Sequence, residues 1–292
     1  GIWASCPAIN WTQFLASGLW AVTVMNEYDH ILGFHKINAF RDAVHNSVGG
    51  KENYFQVEER IDFDPYTILG QKTKGGKITE KDCLVMQEIW KGPHTTGNDF
   101  LWYSFLPGGT FWNKIIPIGS FYYPLIGKRP KCFSLVEQYV HLAFEDPKKD
   151  LLHLKIRDFE KVFDTCIRKL GWLSCDHADL RPFANAGGKL IIDHGLDDPL
   201  IPVEGTIDYY HHMREIHGGQ NFIDRFCRLY INPGDGHGNC HTNGPGMTES
   251  TGIQALMNWV EHNKAPENLP AVLVNQKTGK TIRKGIVKPW RV

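Results

Sequence analysis

The chain has 292 residues, and its 32 basic and 32 acidic side chains give a formal net charge of zero. This balance argues against a nucleic-acid-binding protein, which would carry a basic stripe, and also against an acidic tail. No apolar run reaches the length of a membrane span. A chain of this length buries on the order of three quarters of its unfolded surface, so it can form one or two domains with a real core.

The start of the chain, GIWASCPAINW, has no basic segment and no initiator methionine. These features argue against a signal peptide and predict that the segment lies inside a longer protein. The sequence has seven cysteines, which is many for a cytosolic enzyme of this size and favours an oxidising compartment. The odd number leaves one thiol either free or paired with a sulfur outside this chain.

The first predicted element is a short strand, IWAS, which ends in a turn at 6–8. From about 11 to 180 the pattern is irregular, and it includes an aromatic, glycine-containing stretch at 100–113. Helices interrupt this region. Apolar side chains at helical spacing predict one helix over 158–170 and another over 135–144.

From Gly187 the sequence changes to strand, loop and helix units that are typical of an α/β fold. The predicted elements are a strand at LIID, a helix over 203–218, a strand over 225–231 and a helix over 251–262. We expect this last helix to be amphipathic, and the apolar residues of its one side are Ile253, Leu256, Met257 and Val260. Beyond Pro266 the sequence indicates no element.

Polar loops follow the two predicted strands of this region, and in open α/β sheets ligands bind at the carboxyl ends of the strands. The first loop, GLDDPLIP, offers Asp198, and the second, PGDGHGNC, offers His237. A carboxylate that accepts from an imidazole fixes its tautomer, and the imidazole then acts as a general base near neutral pH. We therefore predict that Asp198 and His237 are the acid and base of a Ser…Asp…His triad, in that chain order.

Other interpretations of these residues stay open. Asp197 can orient a histidine as well as Asp198 can, and either carboxylate can simply cap the helix that follows. A metal site built from the HGNCH segment with His211, His212 and His217 does not match the ligand spacing of structural zinc, so no metal is expected.

The nucleophile of such a triad has no clear counterpart. An α/β-hydrolase serine needs a G-x-S-x-G turn between a strand and a helix, and the sequence contains none. Displaced nucleophiles remain as alternatives. Ser5 and Ser174 lack the flanking glycines, and Ser104 and Ser120 lie in aromatic or glycine-containing loops that no helix pattern follows. Cys6 and Cys175 are the alternatives with a thiol.

Several segments along the chain carry a family resemblance. They are GIWASCPAINWT near the start, FDPYTI at 63–68, GGKLIIDHGLDDPLIP, INPGDGHGNCHTNGPG, and NWVEHNKAPENLPA near the end. In these segments the chain resembles the tannase/feruloyl esterase family, and the resemblance covers nearly its whole length. The two loop segments are the most specific.

The resemblance also assigns roles. In this family the aspartate before proline is the triad acid and the histidine of the second loop is the base, which correspond to Asp198 and His237 here. The family's nucleophilic serine lies in a G-C-S-x-G-G segment on the amino-terminal side of the first motif. The resemblance therefore implies that this chain is the carboxyl-terminal part of a longer enzyme, either a processed subunit or a truncated form.

The implied fold is an α/β-hydrolase core, only partly contained in this chain, with a large inserted lid domain. The expected core is 1–12 and 180–292, and the expected lid is 13–179. The implied activity is that of a serine carboxylic-ester hydrolase that cleaves esters of aromatic acids of the gallic or hydroxycinnamic type. This chain alone is expected to be inactive, and a catalytically inactive, esterase-like binding protein is the alternative.

The expected partners are a small aromatic ester and the amino-terminal half of the same precursor, with neither nucleic acid nor a membrane. The resemblance implies a secreted or periplasmic location. Phe100 and Trp102 are candidates for contacting the aromatic acyl group, and Leu200 and Ile201 are candidates for lining the pocket beside Asp198.

Three departures from the family pattern stand out. The family has a cysteine directly after the triad histidine, and that cysteine forms a disulfide. Here Gly238 and Asn239 stand between His237 and Cys240, and Cys240 is the candidate for a shifted disulfide. The counterpart of the family's calcium loop keeps Asp42 but has His45 where a carboxylate belongs, so neither calcium nor another cofactor is expected. Finally, Cys83 lacks its usual upstream partner.

Overall fold

The computed structural model describes residues 1–48, 54–55, 61–109, 123–124, 130–238, 244–275 and 277–291. These residues form two compact units. The first contains the described residues of Gly1–Ile9, Gly49–Glu59 and Asp176–Val292, and the second contains those of Asn10–Val48 and Arg60–Cys175. None of the helices in this part of the chain combines the length and hydrophobicity needed to cross a membrane.

The helices are numbered in chain order. They are α1 (Trp11–Ser17), α2 (Trp20–Glu27), α3 (Phe34–Val48), α4 (Glu80–Lys91), α5 (Ser134–Phe144), α6 (Ile156–Leu170), α7 (Arg181–Asn185), α8 (Val203–Ile216), α9 (Gln220–Ile223) and α10 (Glu249–His262). Single 3-10 turns cover Pro65–Ile68 and Gly171–Leu173.

The strands are likewise numbered in chain order. They are β1 (Ile2–Ser5), β2 (Lys72–Thr73), β3 (Gly76–Lys77), β4 (Tyr123–Pro124), β5 (Pro130–Lys131), β6 (Leu190–Gly195), β7 (Cys227–Asn232), β8 (Gly246–Met247), β9 (Leu269–Val274) and β10 (Thr281–Val287). The pairs β2–β3 and β4–β5 form small antiparallel ladders.

The main sheet of the first unit is parallel and has the order β1-β6-β7, so β6 lies in the middle. Leu190 of β6 pairs with Ile2 on one side and with Cys227 on the other. Every residue of β6 and β7 is buried. Parallel strands that are covered on both faces are rich in consecutive apolar residues, and the runs 190–192 and 229–231 follow this rule.

Helices cover both faces of this sheet. Ile192 belongs to a buried cluster with Met213 of α8, and its neighbour Ile191 belongs to a second cluster with Trp259 of α10. Successive strand residues point to opposite faces, so β6 contributes to both cores. This packing holds the carboxyl ends of β6 and β7 side by side, and the loops that carry Asp198 and His237 begin there.

The buried face of α10 differs from the predicted one. Ile253, Met257 and Val260 are exposed, although Leu256 is buried as expected. The buried residues of this helix are Gly252, Ala255, Leu256 and Trp259. The helix lies so close to β1 that a Cβ atom on Gly252 would be 2.7 Å from the Trp3 ring. Small residues such as Gly252 and Ala255 contribute little to the apolar pattern of a helix. The sequence pattern therefore predicted the wrong face of α10 to be buried.

The segment beyond Pro266, for which the sequence indicated no element, forms an antiparallel hairpin of β9 and β10. Strand β8 pairs with the other side of β9. In β10 Ile282 and Ile286 are exposed and Val287 is buried. Because the apolar residues of this strand do not mark one buried face, its sequence lacks the alternation that identifies a strand.

The second unit is more helical than its irregular pattern predicted. Helix α6 buries Phe159, Val162 and Cys166 as expected, whereas α1 and α2 were missed. Most side chains of α1 and α2 are buried, so neither helix has the polar face that reveals a helical period. Helix α4 was also missed, although Thr79 and Asp82 form a capping box at its start.

Candidate active site

The Asp198 carboxylate is the centre of the candidate site, in the turn that follows β6. Its side chain is buried. One carboxylate oxygen, Oδ1, accepts hydrogen bonds from the backbone N–H groups of Leu200 (2.7 Å) and Ile201 (3.0 Å). The loop after the aspartate thus folds back on its side chain, which is a local arrangement typical of aspartate in turns.

The second carboxylate oxygen, Oδ2, accepts from two imidazoles. His237 donates from Nδ1 at 2.9 Å and His194 donates from Nε2 at 3.1 Å. Burial by itself raises the pKa of Asp198, but the hydrogen bonds and charges of His194 and His237 outweigh it and hold the pKa well below its usual range. The carboxylate is therefore ionised at neutral pH and saturated with donors.

His237 lies in the loop after β7, with about a third of its side chain exposed (34%). A carboxylate only accepts, so Nδ1 carries the proton of this hydrogen bond and Nε2 is the basic nitrogen of the neutral ring. Burial lowers the pKa of His237. The hydrogen bond and the charge of Asp198 raise this pKa by more than burial lowers it, so the net shift is upward. This arrangement suits a general base that is stabilised once it has gained a proton.

His194 was missed by the sequence analysis. It is the fifth residue of β6 and is completely buried. Its Nε2 also lies 3.2 Å from the Ile201 carbonyl, and its Nδ1 lies 2.8 Å from the Thr206 hydroxyl of α8. Nε2 donates to Asp198 and Nδ1 hydrogen-bonds with the Thr206 hydroxyl, so both ring nitrogens have partners and the orientation of the ring is fixed. The sequence did contain one signal that could have identified His194, because it is a histidine at the end of a predicted strand, four residues before the candidate acid.

Cys6 follows β1 directly, and its side chain contacts the loop that carries His237. Its backbone has a φ of 44°, and its thiol accepts from the Gly238 N–H (3.3 Å) and donates to the Gly236 carbonyl (3.8 Å). Burial and the nearby carboxylates of Asp198 and Asp193 raise the pKa of this thiol well above its ordinary value, so it is protonated at neutral pH.

Cys6, Asp198 and His237 form one group of potential metal ligands. One ligating atom from each lies within 4.8 Å of the others. Among the described residues, no other group of three His, Cys, Asp or Glu side chains has its potential ligand atoms this close together. His211 and His217, from the alternative metal site, lie elsewhere: Trp290 donates to His211, and His217 accepts from the Leu180 N–H.

The loop that carries His237 passes directly over Gly195, the last residue of β6. A Cβ atom at this position would overlap the carbonyl oxygens of Asp235 and Gly236. The Asp197 N–H also donates to the Asp235 carbonyl, at 2.8 Å. Only glycine at 195 allows the His237 loop to pack this closely against the end of β6, and this contact helps to position His237.

A second buried carboxylate, Asp193, lies one residue before His194. Burial raises its pKa to about 6, although it accepts from Trp3 Nε1 (2.5 Å), Asn232 Nδ2 (3.0 Å) and the Ser5 hydroxyl (3.3 Å). The Ser5 hydroxyl is thus engaged with Asp193. This cluster joins β1, β6 and β7 beneath the site.

The other predicted site residues have varied surroundings. Ile201 is buried and Leu200 is partly buried, and both hold Asp198 through their backbone. Phe100 and Trp102 belong to the second unit, where each packs against Tyr103 with ring centroids 5.0 and 5.1 Å apart. Their predicted contacts with a substrate stay predictions.

Cys240, the disulfide candidate, and Ser120 lie outside the described residues. Of the remaining nucleophile alternatives in the described residues, the Ser174 hydroxyl donates to Gln13 (3.0 Å) and that of Ser104 to the Ile89 carbonyl (2.8 Å). Cys175 is an exposed free thiol.

The described part of the segment that corresponds to the family's calcium loop is helical, and the expected absence of calcium stays a prediction. Residues 41–48 are part of helix α3. The Asp42 carboxylate pairs with Arg41 at 2.9 Å, and His45 is buried with Nε2 3.1 Å from the Gly108 carbonyl. Calcium needs six or more oxygen ligands, which these residues do not offer.

The chain is similar in sequence to known proteins. The family model described as tannase and feruloyl esterase matches residues 128–290. A probable feruloyl esterase of Arthroderma benhamiae is 28% identical over 93% of this chain and 51% of its own length. A tannase of Aspergillus oryzae is 24% identical over 71% of this chain and 37% of its own length. The chain thus spans about half or less of these relatives.

The chain is also similar in fold to a solved structure. The crystal structure of feruloyl esterase B from Aspergillus oryzae superimposes on 99% of this chain with a TM-score of 0.80 and 17% sequence identity, and 59% of that chain is covered. At this identity the similarity establishes a shared fold.

We expect His194→Phe to destabilise the protein, because phenylalanine fills the space of the ring but cannot form the hydrogen bonds with Asp198 and Thr206. The free energy of unfolding at pH 7 should fall by about 2–3 kcal/mol, measured by urea denaturation. The control His212→Phe, on the exposed side of α8, should change it by less than about 0.5 kcal/mol. Equal stability of the two variants would contradict the role assigned to His194.

We expect Gly195→Ala to displace the His237 loop, since the new methyl group overlaps two of its carbonyl oxygens. The downfield NMR signal of the His237 Nδ1 proton should disappear, and the free energy of unfolding should fall by about 1–3 kcal/mol. Gly171→Ala is the matched control, because that glycine has a φ of −56° and open space around it. A retained proton signal in Gly195→Ala would show that the loop tolerates the methyl group.

Proposed function

The chain belongs to the tannase and feruloyl esterase family, and on this premise we propose that it is the carboxyl-terminal part of a serine carboxylic-ester hydrolase. The observation that carries the proposal is the 2.9 Å hydrogen bond between His237 Nδ1 and the buried Asp198 carboxylate. In this proposal His237 is the general base, Asp198 orients it, and the nucleophilic serine is supplied by the part of the protein upstream of this chain.

The proposed reaction has two stages. His237 Nε2 takes the proton of the serine hydroxyl as its oxygen attacks the ester carbonyl, and then gives that proton to the departing alcohol. In the second stage the same nitrogen takes a proton from water, which attacks the acyl-enzyme, and returns the proton to the serine. Asp198 stays ionised throughout and stabilises the imidazolium, in agreement with its strongly lowered pKa.

We further propose that 1–12 and 180–292 belong to an α/β-hydrolase core and that 13–179 form an inserted lid. Two observations support this division. The parallel sheet β1-β6-β7 carries the candidate acid and base at the carboxyl ends of its strands, as α/β-hydrolases do. The two compact units also divide near Ile9 and Cys175, with the difference that the described residues 54–55 group with the first unit.

The proposed substrates are esters of aromatic acids of the gallic or hydroxycinnamic type. The names of the relatives, feruloyl esterase and tannase, support this class. The aromatic group of Phe100, Trp102 and Tyr103 is the candidate surface for the acyl group. Leu200 and Ile201 are the candidates beside Asp198. A secreted or periplasmic location remains part of the same proposal.

The upstream half of the precursor is the proposed protein partner. In the described residues β1 has a paired neighbour only on its β6 side, so its outer edge is open to a further parallel strand. The exposed apolar residues Ile253, Met257 and Val260 of α10 lie on the helix that packs against β1. An additional strand and helix would cover both features.

The decisive experiment combines this chain with the upstream part of its own coding region. The combined protein should hydrolyse an alkyl ester of ferulic or gallic acid, whereas the chain alone should not. His237→Ala should lower kcat by at least about 10³-fold, since the nucleophile loses its base. The control His212→Ala should retain full activity.

Two results would contradict the proposal in different ways. Turnover by the chain alone would mean that it contains its own nucleophile, and Cys6→Ala would then be the first variant to assay. Binding of the ester by the combined protein without turnover would instead favour the inactive binding relative.

The electrostatic part of the proposal is testable on the chain alone. The pKa of His237 should lie above its usual 6.5, and Asp198→Asn should lower it, because the burial of His237 then acts without the compensating charge. A raised folded-state pKa also means that the contribution of this pair to stability is present below about 6.5 and is lost as the pH rises through the folded value.

NMR titration of the His237 ring is the measurement, with Asp208→Asn, an exposed acid of α8, as the control. The control should leave the His237 titration where it was. A His237 pKa that Asp198→Asn does not lower would contradict the assignment of the pair.

A further inference from the structure

The Cys6 thiol has no part in the proposed ester hydrolysis, yet the loop of His237 is built around it. The N–H of Gly238 and the carbonyl of Gly236, the two peptide groups that flank His237, both hydrogen-bond to its sulfur. The thiol is thus held under the histidine and beside the Asp198 carboxylate. The thiol itself is buried, since Cys6 is 5% exposed.

We propose that Cys6, Asp198 and His237 bind one thiophilic divalent cation of the zinc type. Their ligating atoms, one sulfur, one carboxylate oxygen and one imidazole nitrogen, all lie within 4.8 Å of one another. Sulfur and nitrogen donors with a carboxylate are the set that zinc and its heavier congener cadmium prefer. The proposal does not depend on the esterase activity, since it concerns the chain by itself.

The size of the site fits such an ion. Zinc bonds are about 2.3 Å long to sulfur and about 2.0–2.1 Å to nitrogen or oxygen, so ligands on a tetrahedral zinc are about 3.3–3.6 Å apart. The imidazole and carboxylate are already closer than this, with Nδ1 and Oδ2 2.9 Å apart. Shifts on the order of 1 Å bring the three donors to bonding distance, and water completes the tetrahedron.

The charges of the site also balance. The thiol of Cys6 loses its proton to solvent when the ion binds, as coordinating thiols do. The His237 ring gives up its Nδ1 proton and takes one from solvent at Nε2, so it stays neutral and Nδ1 is free to bind the ion. One thiolate, one carboxylate and a neutral imidazole then carry two negative charges against the two positive charges of the ion. A buried set without net charge avoids most of the desolvation cost of an isolated ion.

The surroundings hold the ligands in place. Asp198 keeps its hydrogen bonds from His194, Leu200 and Ile201, which leave it only one oxygen facing the histidine and cysteine. Such hydrogen bonds from outside the ligand set orient ligands and strengthen metal binding. The ion uses the same side chains as the acid–base pair, so binding of the ion and general-base action by His237 exclude each other.

The test is titration of the purified, reduced 292-residue chain with cadmium ion, observed through the ultraviolet charge-transfer absorption of a cadmium–thiolate bond. We expect one equivalent to bind, zinc to compete for it, and the Nδ1 proton signal of His237 to disappear. Cys6→Ala should abolish the absorption, and His237→Ala and Asp198→Asn should each raise the Kd by at least about tenfold.

Cys175→Ser is the matched control, because it removes an exposed thiol outside the proposed ligand set. This variant should keep both the absorption and the affinity. Circular dichroism melting of Cys6→Ala shows that any loss does not come from unfolding, and His237→Ala tests the same site through a second ligand. Absence of binding, absorption that persists in Cys6→Ala, or an unchanged Kd in His237→Ala would each overturn the proposal.

Discussion

A carboxylate without access to water must find its hydrogen-bond donors within the protein, and the rest of the site follows from how Asp198 does so. Two backbone N–H groups and two imidazoles reach its oxygens, from its own loop, from β6 and from the loop after β7. Each donor fixes the segment that carries it, and removal of one leaves a buried acceptor unsatisfied. The position of His237 is thus a consequence of how the ionised Asp198 is solvated by the protein.

The sequence was informative where one physical requirement dominated a segment. Buried parallel strands are largely apolar, and the apolar runs 190–192 and 229–231 made β6 and β7 recognisable, together with the loops that carry Asp198 and His237. The family to which the chain belongs was likewise evident from its motifs. The catalytic roles of both residues, the residue limits of core and lid, and the substrate contacts of Phe100 and Trp102 stay predictions.

Other elements were missed because no periodic signal marks them. Helices α1 and α2 are buried nearly all round, and α10 uses Gly252 and Ala255 to approach the sheet, so its larger apolar residues lie outside. His194 was missed, and Cys6 was considered only as an alternative nucleophile, for another reason. Their importance comes from contacts between residues far apart in the chain or across a turn, and a list of single residues does not contain that information.

The backbone of the turn after Asp198 has an unusual property for a loop. The N–H groups of Leu200 and Ile201 would ordinarily exchange with deuterated solvent early, as loop amides do. Here they donate to an acceptor that is enclosed by the sheet and its helices. We therefore expect these two amides to exchange more slowly than ordinary loop amides, because the turn must release a buried carboxylate before it can open.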